Sequence, residues 1–267
     1  MPAARKTVRL PMPPESADRD VTACLVIIGN EILSGRTQDA NLAYLGKGLN
    51  DVGVRLMEVR VIPDVRQTII DTVNDVRRRF DYVFTTGGIG PTHDDITAEA
   101  VAAAFGVPIE RNPEAKARLE AYYATTTIEL NEARLKMADI PRGATLIENP
   151  VSGAPGFRLE NVYVMAGVPR IMQAMFDSFK HELRGGRPML TRTVVAPIGE
   201  GTLAAGLAAI QEAHPAVEIG SYPFFGGGRF GTSLVARGRD AAELDQVAEE
   251  IRALVRSHGA EPADAPA

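Results

Sequence analysis

The chain has 267 residues, of which 45% are hydrophobic and 24% are charged, and this is the composition of an ordinary soluble globular protein. The length exceeds that of one typical domain and favours a large domain with a smaller one. The net charge of -5, with no basic cluster beyond the three arginines at residues 77–79, argues against nucleic acid as a partner. No segment approaches the roughly 20 apolar residues of a membrane helix, so no membrane partner is expected.

Two further features of the sequence indicate a cytoplasmic location. The single cysteine, Cys24, lies in an apolar run typical of a buried strand and cannot form an internal disulfide. Residues 1–20 contain no apolar segment long enough for a secretory signal, and we interpret them as a flexible tail. We therefore expect a reducing environment.

From Thr22 onward, short apolar runs alternate with amphipathic segments, a pattern that predicts βαβ units and a mostly parallel sheet. Strands are predicted at residues 23–28, 54–62 and 81–85, and helices at residues 41–51 and 65–79. Residues 29–39, between the first strand and the first helix, read as a polar loop that carries Glu31 and Asp39. The loops after the first and third strands lie on the same edge of such a sheet, where open α/β sheets bind ligands.

Residues 85–97, with the sequence Thr-Thr-Gly-Gly-Ile-Gly-Pro-Thr-His-Asp-Asp-Ile-Thr, are the most informative stretch of the chain, and we call them the glycine loop. Its three glycines permit positive φ and the close approach of a ligand, and Pro91 stiffens its exit. Asp94 or Asp95 is expected near the N-cap of the helix that follows, with Glu99 in its early turns. The loop therefore joins a strand's carboxyl end to a helix's amino end, where anions bind.

A purely structural explanation exists for each of these features. The glycines would make a tight turn, and one aspartate would cap a helix, but a single cap needs only one carboxylate. The pair Asp94 and Asp95 therefore favours function. For Glu31 and Asp39, a solvated loop or a helix cap is as good an explanation as a binding site.

Backbone amides lined by glycine bind phosphate oxygens, whereas carboxylates repel them unless a divalent cation intervenes. The sequence therefore predicts a site for Mg²⁺, Mn²⁺ or Co²⁺ at Asp94 and Asp95, with Glu31 as a further candidate ligand. His93 is a candidate general base because an imidazole titrates near neutrality, although such a histidine more often shapes the loop or contacts a ligand.

The rest of the chain divides into a helical insertion, further strands and a terminal unit. One long helical segment is predicted at residues 113–138, strands at 145–147 and 157–165, and a helix at 170–183. Gly185 and Gly186 mark the best domain boundary. We predict an α/β domain at residues 21–185, a small α+β domain at residues 190–258 and a flexible tail at residues 259–267.

These segments together resemble the molybdopterin-binding-like family, of the MoaB/Mog type, and within it the N-terminal domain of the competence/damage-inducible protein A (CinA) group. The resemblance is carried by Gly-Asn-Glu-Ile-Leu-Ser-Gly at residues 29–35 with Asp39 and Asn41, the glycine loop, Gly-Ala-Pro-Gly-Phe at residues 153–157, and Gly-Val-Pro at residues 167–169. It implies a three-layer αβα domain with a mostly parallel sheet, followed by a small α+β domain. It also implies a phosphorylated pterin or nucleotide as ligand, and self-association into a homo-oligomer.

The resemblance also implies roles for individual residues. In the molybdenum-cofactor adenylyltransferase branch, the active-site aspartates match Asp39 and Asp95, and we add Asp94 as a catalytic candidate. In the CinA branch and in the similar domain of eukaryotic FAD synthases, the activity is metal-dependent hydrolysis of nucleotide diphosphates such as ADP-ribose or FAD. The candidate ligand-binding residues are Gly29, Asn30, Glu31, Ser34, Thr86, Gly87, Gly88, Gly90, Pro91, Thr92, Thr97, Gly153, Pro155 and Gly156.

The chain departs from the CinA group in two respects. Members of the group often continue into an amidase domain acting on nicotinamide mononucleotide, for which this chain has no length, so amidase activity is not expected. Where the group tends to have a glutamate two residues after Pro169, this chain has Ile171. Three hypotheses follow: a metal-dependent nucleotide pyrophosphatase, a molybdopterin- or nucleotide-binding module without turnover, and a molybdopterin adenylyltransferase.

Overall fold

A computed structural model describes residues 19–226 and 229–264, which form two units that each combine helices with a sheet. The strands are β1 (Val21–Ile28), β2 (Val54–Ile62), β3 (Tyr82–Thr86), β4 (Ile109–Arg111), β5 (Asp139–Pro141), β6 (Thr145–Ile147), β7 (Gly156–Leu159), β8 (Val162–Met165), β9 (Leu190–Ala196), β10 (Glu218–Gly226), β11 (Arg229–Gly238) and β12 (Ala263–Asp264). The helices are α1 (Asn30–Leu33), α2 (Asn41–Asp51), α3 (Arg66–Arg79), α4 (Thr97–Ala104), α5 (Pro113–Tyr123), α6 (Glu132–Leu135), α7 (Pro169–Phe179), α8 (Glu200–Ala213) and α9 (Ala241–Ser257), with 3-10 turns at Lys136–Ala138 and Lys180–Glu182. No helix in the described ranges is long and apolar enough to cross a membrane.

The first unit is built on a six-stranded sheet with the strand order β2-β1-β3-β8-β7-β6. The first four strands in this order run parallel, β7 joins antiparallel to β8, and β6 joins antiparallel to β7. In β1, the six residues from Ala23 to Ile28 are all buried, because a central strand is covered on both faces. Cys24 is a buried strand residue, as predicted. Burial raises the pKa of its thiol to about 12, and Glu58 adds to the effect.

Helices cover both faces of this sheet. One face packs against α2 and α7 through Leu45, Leu49, Met172 and Phe176, and the other packs against α3, α4 and α5 through residues such as Val73 and Val101. These helices place apolar side chains on one side at helical spacing, which is why each of them covers a sheet. The predicted three-layer αβα domain with a mostly parallel sheet is confirmed.

The second unit is an antiparallel sheet with the strand order β10-β11-β9-β12, packed against α8 and α9. Its core joins Leu203 of α8 to Leu244, Val247 and Ile251 of α9 and to Leu234 of the sheet. The predicted small α+β unit is therefore present. β12 adds Ala263–Asp264 to the sheet, so part of the segment expected to be a flexible tail pairs with β9.

The two units meet where the predicted boundary glycines lie. The amide of Gly186 donates to the carbonyl of Gly53 at 2.9 Å, and a Cβ on Gly185 would lie 1.6 Å from the carbonyl oxygen of Val52. Asp20 pairs with Arg55 and with Arg239, which link the first unit to the second. Of the predicted N-terminal tail at residues 1–20, residues 1–18 lie outside the described part of the chain.

The prediction of one continuous helix at residues 113–138 was wrong. α5 ends at Tyr123, where the hydroxyls of Thr125 and Thr126 donate to backbone carbonyls three residues earlier and close the turn. The chain becomes helical again only at α6, where the Asn131 side chain accepts a hydrogen bond from the Arg134 amide. The antiparallel pair β4 and β5, which flanks this insertion, was not predicted.

Substitution of Phe176 by alanine is expected to lower the free energy of unfolding by about 3–5 kcal/mol, because the ring is fully buried. It meets Tyr44, Phe84 and Phe179 edge to face. Chemical denaturation followed by circular dichroism measures the change. Phe225→Ala is the matched control, since that ring is 92% exposed and its loss is expected to cost less than about 0.5 kcal/mol. Equal losses in the two variants would contradict the assignment of Phe176 to the core.

Candidate functional site

Three loops of the first unit are packed backbone to backbone at the carboxyl edge of the parallel strands. Gly87 has a φ of 103°, and a Cβ at this position would lie 2.1 Å from the carbonyl oxygen of Ile28. A Cβ on Gly167 would lie 3.2 Å from the Cα of Gly87. Only glycine fits at residue 87, because it has no Cβ and tolerates positive φ. The exits of β1, β3 and β8 therefore meet at one place.

A buried asparagine links the first of these loops to the third. Asn41 is only 4% exposed, and its Nδ2 donates to the carbonyl of Gly167 at 2.8 Å. Its Oδ1 is buried, and no described residue donates a hydrogen bond to it. Gly29 is held by a hydrogen bond from its amide to the Ile62 carbonyl at 3.1 Å. The loops after β1 and β8 are thereby fixed beside the glycine loop.

Thr97, the first residue of α4, closes the glycine loop. Its hydroxyl donates to the Gly87 carbonyl at 3.0 Å and its amide to the Gly88 carbonyl at 2.9 Å. Gly88 has a φ of 67°, and a Cβ there would lie 2.2 Å from the Thr97 Oγ1. In the described part of the chain, the amides of Gly88, Ile89 and Gly90 donate to no protein acceptor. Successive backbone amides without a protein acceptor are the kind of group that binds anions.

Asp94 and Asp95 lie just before the N-cap of this helix, as predicted, but neither side chain caps it. The N-cap residue is Ile96, and no side chain caps α4. Both carboxylates instead turn to Thr92, whose hydroxyl lies 2.6 Å from Asp94 Oδ1 and 2.5 Å from Asp95 Oδ2. The Thr92 amide also donates to Asp95 Oδ2 at 2.8 Å. We call Asp94 and Asp95 the carboxylate pair.

The carboxylate pair carries more negative charge than its hydrogen bonds compensate. A hydroxyl has one proton, so Thr92 Oγ1 donates to only one of the two carboxylate oxygens at a time. Its hydrogen bond is the main reason that the pKa of Asp94 lies below its ordinary value, with His93 and Lys136 adding electrostatic stabilisation. The two carboxylates thus share the single hydroxyl of Thr92, at 2.6 and 2.5 Å, and such a pairing of acidic groups favours a cation nearby.

A shallow cleft opens between the glycine loop and the insertion that follows α4. Its mouth is polar, with Asp95, Glu99 and Lys136, and its floor is apolar, with Ile140 and Phe157. The full lining is Gly88, Ile89, Gly90, Asp95, Ala98, Glu99, Ile109, Lys136, Met137, Asp139, Ile140, Pro155 and Phe157. Asp139 is paired with Arg111 at 2.5 Å, so its charge is already compensated.

The candidate residues of the first loop are engaged in local hydrogen bonds and in a contact with Asp64 after β2, and they do not line this cleft. The Asn30 amide is bound to Asp64 Oδ2 at 2.8 Å, and the Glu31 carboxylate lies so close to Gly29 that a Cβ there would be 2.5 Å from it. Ser34 Oγ donates to the Glu31 carbonyl at 3.2 Å. Asp39 Oδ1 accepts the Leu42 amide at 2.8 Å, the helix-cap role left open above.

The third candidate segment is organised by Asn149. Its side chain accepts from the amides of Val151 and Ser152 and donates to Ser152 Oγ and the Ala154 carbonyl. As a result, Pro155 reaches the cleft. The other two candidates face inward: a Cβ on Gly153 would meet Tyr122, and one on Gly156 would meet the backbone of β8. Of the remaining strand-end residues, Thr86 is buried with its hydroxyl unpartnered among the described residues.

The carboxylate pair fits part of a divalent-metal site. One oxygen of each carboxylate contacts the Thr92 hydroxyl, so the two side chains lie side by side, and such sites commonly use one or two carboxylates with substrate phosphates and water. Within the described ranges, no group of three or more His, Cys, Asp or Glu side chains is placed to hold a metal ion. Glu31 is therefore not grouped with the pair, and the ligands available to a metal there are Asp94 and Asp95.

Comparison with known proteins identifies the family. Residues 24–185 match the family described as "Probable molybdopterin binding domain", and residues 188–264 match that described as "FAD synthase, middle domain". The chain belongs to the molybdopterin-binding-domain family. The resemblance drawn from the sequence motifs is therefore confirmed.

Three relatives of this molybdopterin-binding-domain protein illustrate its similarity. A protein of Pyrobaculum calidifontis is 35% identical over 211 residues, which cover 76% of this chain and 80% of the relative. A CinA-like protein of Sulfurihydrogenibium is 38% identical over 160 residues, 58% of this chain but only 40% of the relative. The structure of CinA from Thermoplasma acidophilum superposes with a TM-score of 0.57 at 33% identity, covering 61% of this chain and 98% of that one.

Sequence reasoning missed half of the cleft. Lys136, Met137 and Asp139 lie in or beside the segment that was predicted as one long helix, and no motif marks them. Glu99 was predicted only as an early residue of α4. Of the apolar floor, Phe157 lies in the motif at residues 153–157, whereas Ile140 was missed because it comes from a short strand with no periodic pattern. The only usable signal is Pro141 with Gly143, which marks a turn there.

Thr92→Val is expected to raise the pKa of Asp94 toward its ordinary value, because it removes the hydroxyl that donates to this carboxylate while keeping the side-chain shape. In wild type the folded-state pKa is depressed. The stabilisation that the ionised Asp94 carboxylate gives to the folded protein is therefore present above the unfolded-state pKa of about 3.9. It is lost as the pH falls through the lower pKa that Asp94 has in the folded state. Carboxyl ¹³C NMR titration measures the pKa of Asp94 in wild type and in the variant.

Thr125→Val is the control for this titration. Its hydroxyl donates to the Tyr122 carbonyl at 2.7 Å, away from both aspartates. An unchanged Asp94 titration in Thr92→Val would show that the hydroxyl does not hold this carboxylate.

Proposed function

We propose that this protein binds the diphosphate group of a nucleotide at the glycine loop and hydrolyses it with a divalent metal ion held by Asp94 and Asp95. The observation that carries the proposal is the convergence of two carboxylates on the single Thr92 hydroxyl, directly after three unbonded backbone amides. An anionic phosphate and a cation are then both accommodated within one loop. A ligand that carries both is a metal–diphosphate complex.

The three unbonded amides support the phosphate end of this proposal. Gly88, Ile89 and Gly90 line the cleft, and backbone amides in such a turn form a concave site for anions. Thr97 fixes the loop through its two hydrogen bonds to Gly87 and Gly88, so the amides are preorganised before a ligand arrives. Preorganised donors of this kind stabilise charge that develops during hydrolysis.

The carboxylate pair supports the metal end. A bound divalent ion supplies a more acidic water and offsets the charge of the phosphates. The chain's own contribution is to hold the two carboxylates together through Thr92 and to keep Asp94 ionised. His93 lies between Thr92 and Asp94 on the exposed side of the loop, where it stays a candidate for proton transfer.

The family comparisons support a pterin or nucleotide as the ligand. Residues 24–185 match a probable molybdopterin-binding domain, and residues 188–264 match the middle domain of FAD synthase. The second match supports the choice of FAD as one of the first substrates to test. Self-association and a cytoplasmic location stay predictions from the sequence, and light scattering after size-exclusion chromatography tests the first of them.

A second candidate function is binding without turnover, of molybdopterin or of a nucleotide. It is favoured by the absence of a third carboxylate beside the pair among the described residues. It is also favoured by Ile171, whose side chain packs against the core of the first unit where the CinA group tends to have glutamate. The glycine loop would then hold the phosphate while the aspartates only shape the loop.

The two candidates predict different results for Asp95→Asn. Release of nucleotide from FAD and ADP-ribose is measured with Mg²⁺, Mn²⁺ or Co²⁺ and with chelator. Under the hydrolytic proposal, activity requires metal and falls about a hundredfold or more in the variant, the scale on which one preorganised electrostatic contact acts. Asp245→Asn is the control, because that exposed carboxylate pairs with Arg192 in the second unit.

Three other results would redirect the assignment. Hydrolysis that survives Asp95→Asn would remove the carboxylate pair from the chemistry. No hydrolysis by folded wild type, with FAD or molybdopterin still bound in calorimetry, would establish the binding module. An ATP-dependent product with authentic molybdopterin would identify an adenylyltransferase.

A further inference from the structure

Lys136 reaches from the insertion to the glycine loop and binds its backbone. Its Nζ donates to the Asp95 carbonyl at 2.9 Å and to the Thr92 carbonyl at 3.4 Å. The side chain is 30% exposed, so these hydrogen bonds are made beside the cleft in a partly dehydrated setting. Charge-assisted hydrogen bonds are stronger than neutral ones.

The two carbonyls belong to the ends of the turn that carries the carboxylate pair. The Asp95 amide donates to the Thr92 carbonyl at 3.3 Å, a long hydrogen bond for a turn of this kind. The Lys136 ammonium binds the same Thr92 oxygen and the Asp95 oxygen as well. It therefore contacts both ends of residues 92–95 from outside the turn, with the shorter hydrogen bond at Asp95 and a longer one at Thr92.

The ammonium leaves the carboxylates themselves free. Within the described part of the chain, Lys136 forms an ion pair with Glu99, at 3.8 Å, and none with Asp94 or Asp95. A lysine paired directly with the carboxylates would compete with a cation for their oxygens. Binding through backbone carbonyls avoids this competition while keeping a positive charge near the loop.

The insertion does not need this contact for its own structure. The Asn112 amide donates to the Ala138 carbonyl at 2.8 Å, Arg111 pairs with Asp139, and Ala138 is fully buried in the core. These interactions fix the 3-10 turn independently of the Lys136 ammonium. Its removal is therefore expected to affect the glycine loop and to leave the insertion in place.

We infer that Lys136 is a positioning residue that fixes the turn at residues 92–95, so that Asp94 and Asp95 present their carboxylates together. The consequence for hydrolysis rests on the proposed function. The restraint on the turn is a property of the unliganded protein and is tested without any substrate.

The first test is amide hydrogen exchange of the full chain without ligand, comparing wild type with Lys136→Met, Lys136→Arg and Lys116→Met. Lys136→Met is expected to speed exchange in peptides covering residues 92–97 by about tenfold, because a restraint on local opening is lost. Lys136→Arg keeps donors and charge and is expected to restore part of the protection. Lys116 pairs with Glu120 on α5, so Lys116→Met removes a lysine of the same insertion without touching the loop.

The second test measures Mn²⁺ affinity by electron paramagnetic resonance and the kinetics with FAD and ADP-ribose. Lys136→Met is expected to weaken Mn²⁺ binding and to lower kcat by about ten- to a hundredfold, with a small change in KM, because a displaced turn misplaces groups that act in the transition state. Lys116→Met is expected to match wild type in both measurements.

The outcomes separate this inference from the proposed function. Faster exchange in residues 92–97 together with an inactive wild type would support the positioning role and refute the hydrolytic proposal. Unchanged exchange in Lys136→Met would overturn the positioning role even if wild type hydrolyses FAD. Faster exchange throughout β1 and β3 as well would also overturn it, because Lys136 would then be a general stabilising residue.

Discussion

The close approach of Gly87 to the carbonyl of Ile28 is the constraint on which the rest of the site depends. Two adjacent parallel strands end so near to each other that no side chain fits between their exits. The chain leaving β3 must therefore turn outward with positive φ, and the glycine that follows continues this turn until Thr97 closes it. Along the backbone path fixed in this way, Gly88, Ile89 and Gly90 line the cleft, and their amides donate to no acceptor among the described residues.

Within a few residues of this turn, one set of groups attracts anions and another attracts cations. The amide end of the loop attracts anions, whereas the carboxylate pair attracts cations and is held by one hydroxyl and the Thr92 amide. Lys136 adds positive charge through the backbone and leaves the carboxylate oxygens free of an ion pair. Under the proposed function, the loop holds a ligand that carries both signs of charge, since the aspartates would repel a bare phosphate.

The layered fold and the position of the glycine loop follow from patterns that are local in the sequence. Buried apolar runs such as β1 and amphipathic segments such as α2 and α3 specify a covered parallel sheet, and glycines at fixed spacing mark its carboxyl edge. The internal hydrogen bonds of the loop do not follow from these patterns. The aspartates that look like helix caps bind Thr92 instead, since capping propensity is a weak local preference that a competing hydroxyl overrides. The contact of Lys136 with the loop spans 41 residues and depends on how the insertion folds, and no local pattern reports it.

The insertion between α4 and β6 has a consequence for how such a protein can change its ligand. It supplies one wall of the cleft, including Met137, and part of its floor, Ile140. Yet it adds no strand to the main sheet, and its own two strands pair only with each other. The opposite wall is the glycine loop, which the sheet fixes sterically. Under the proposed function, selectivity for the ring system of a ligand and affinity for its phosphates are therefore encoded in separate stretches of chain. Over evolution, or by grafting residues 109–141 between homologues, the first property can be exchanged while the second is retained.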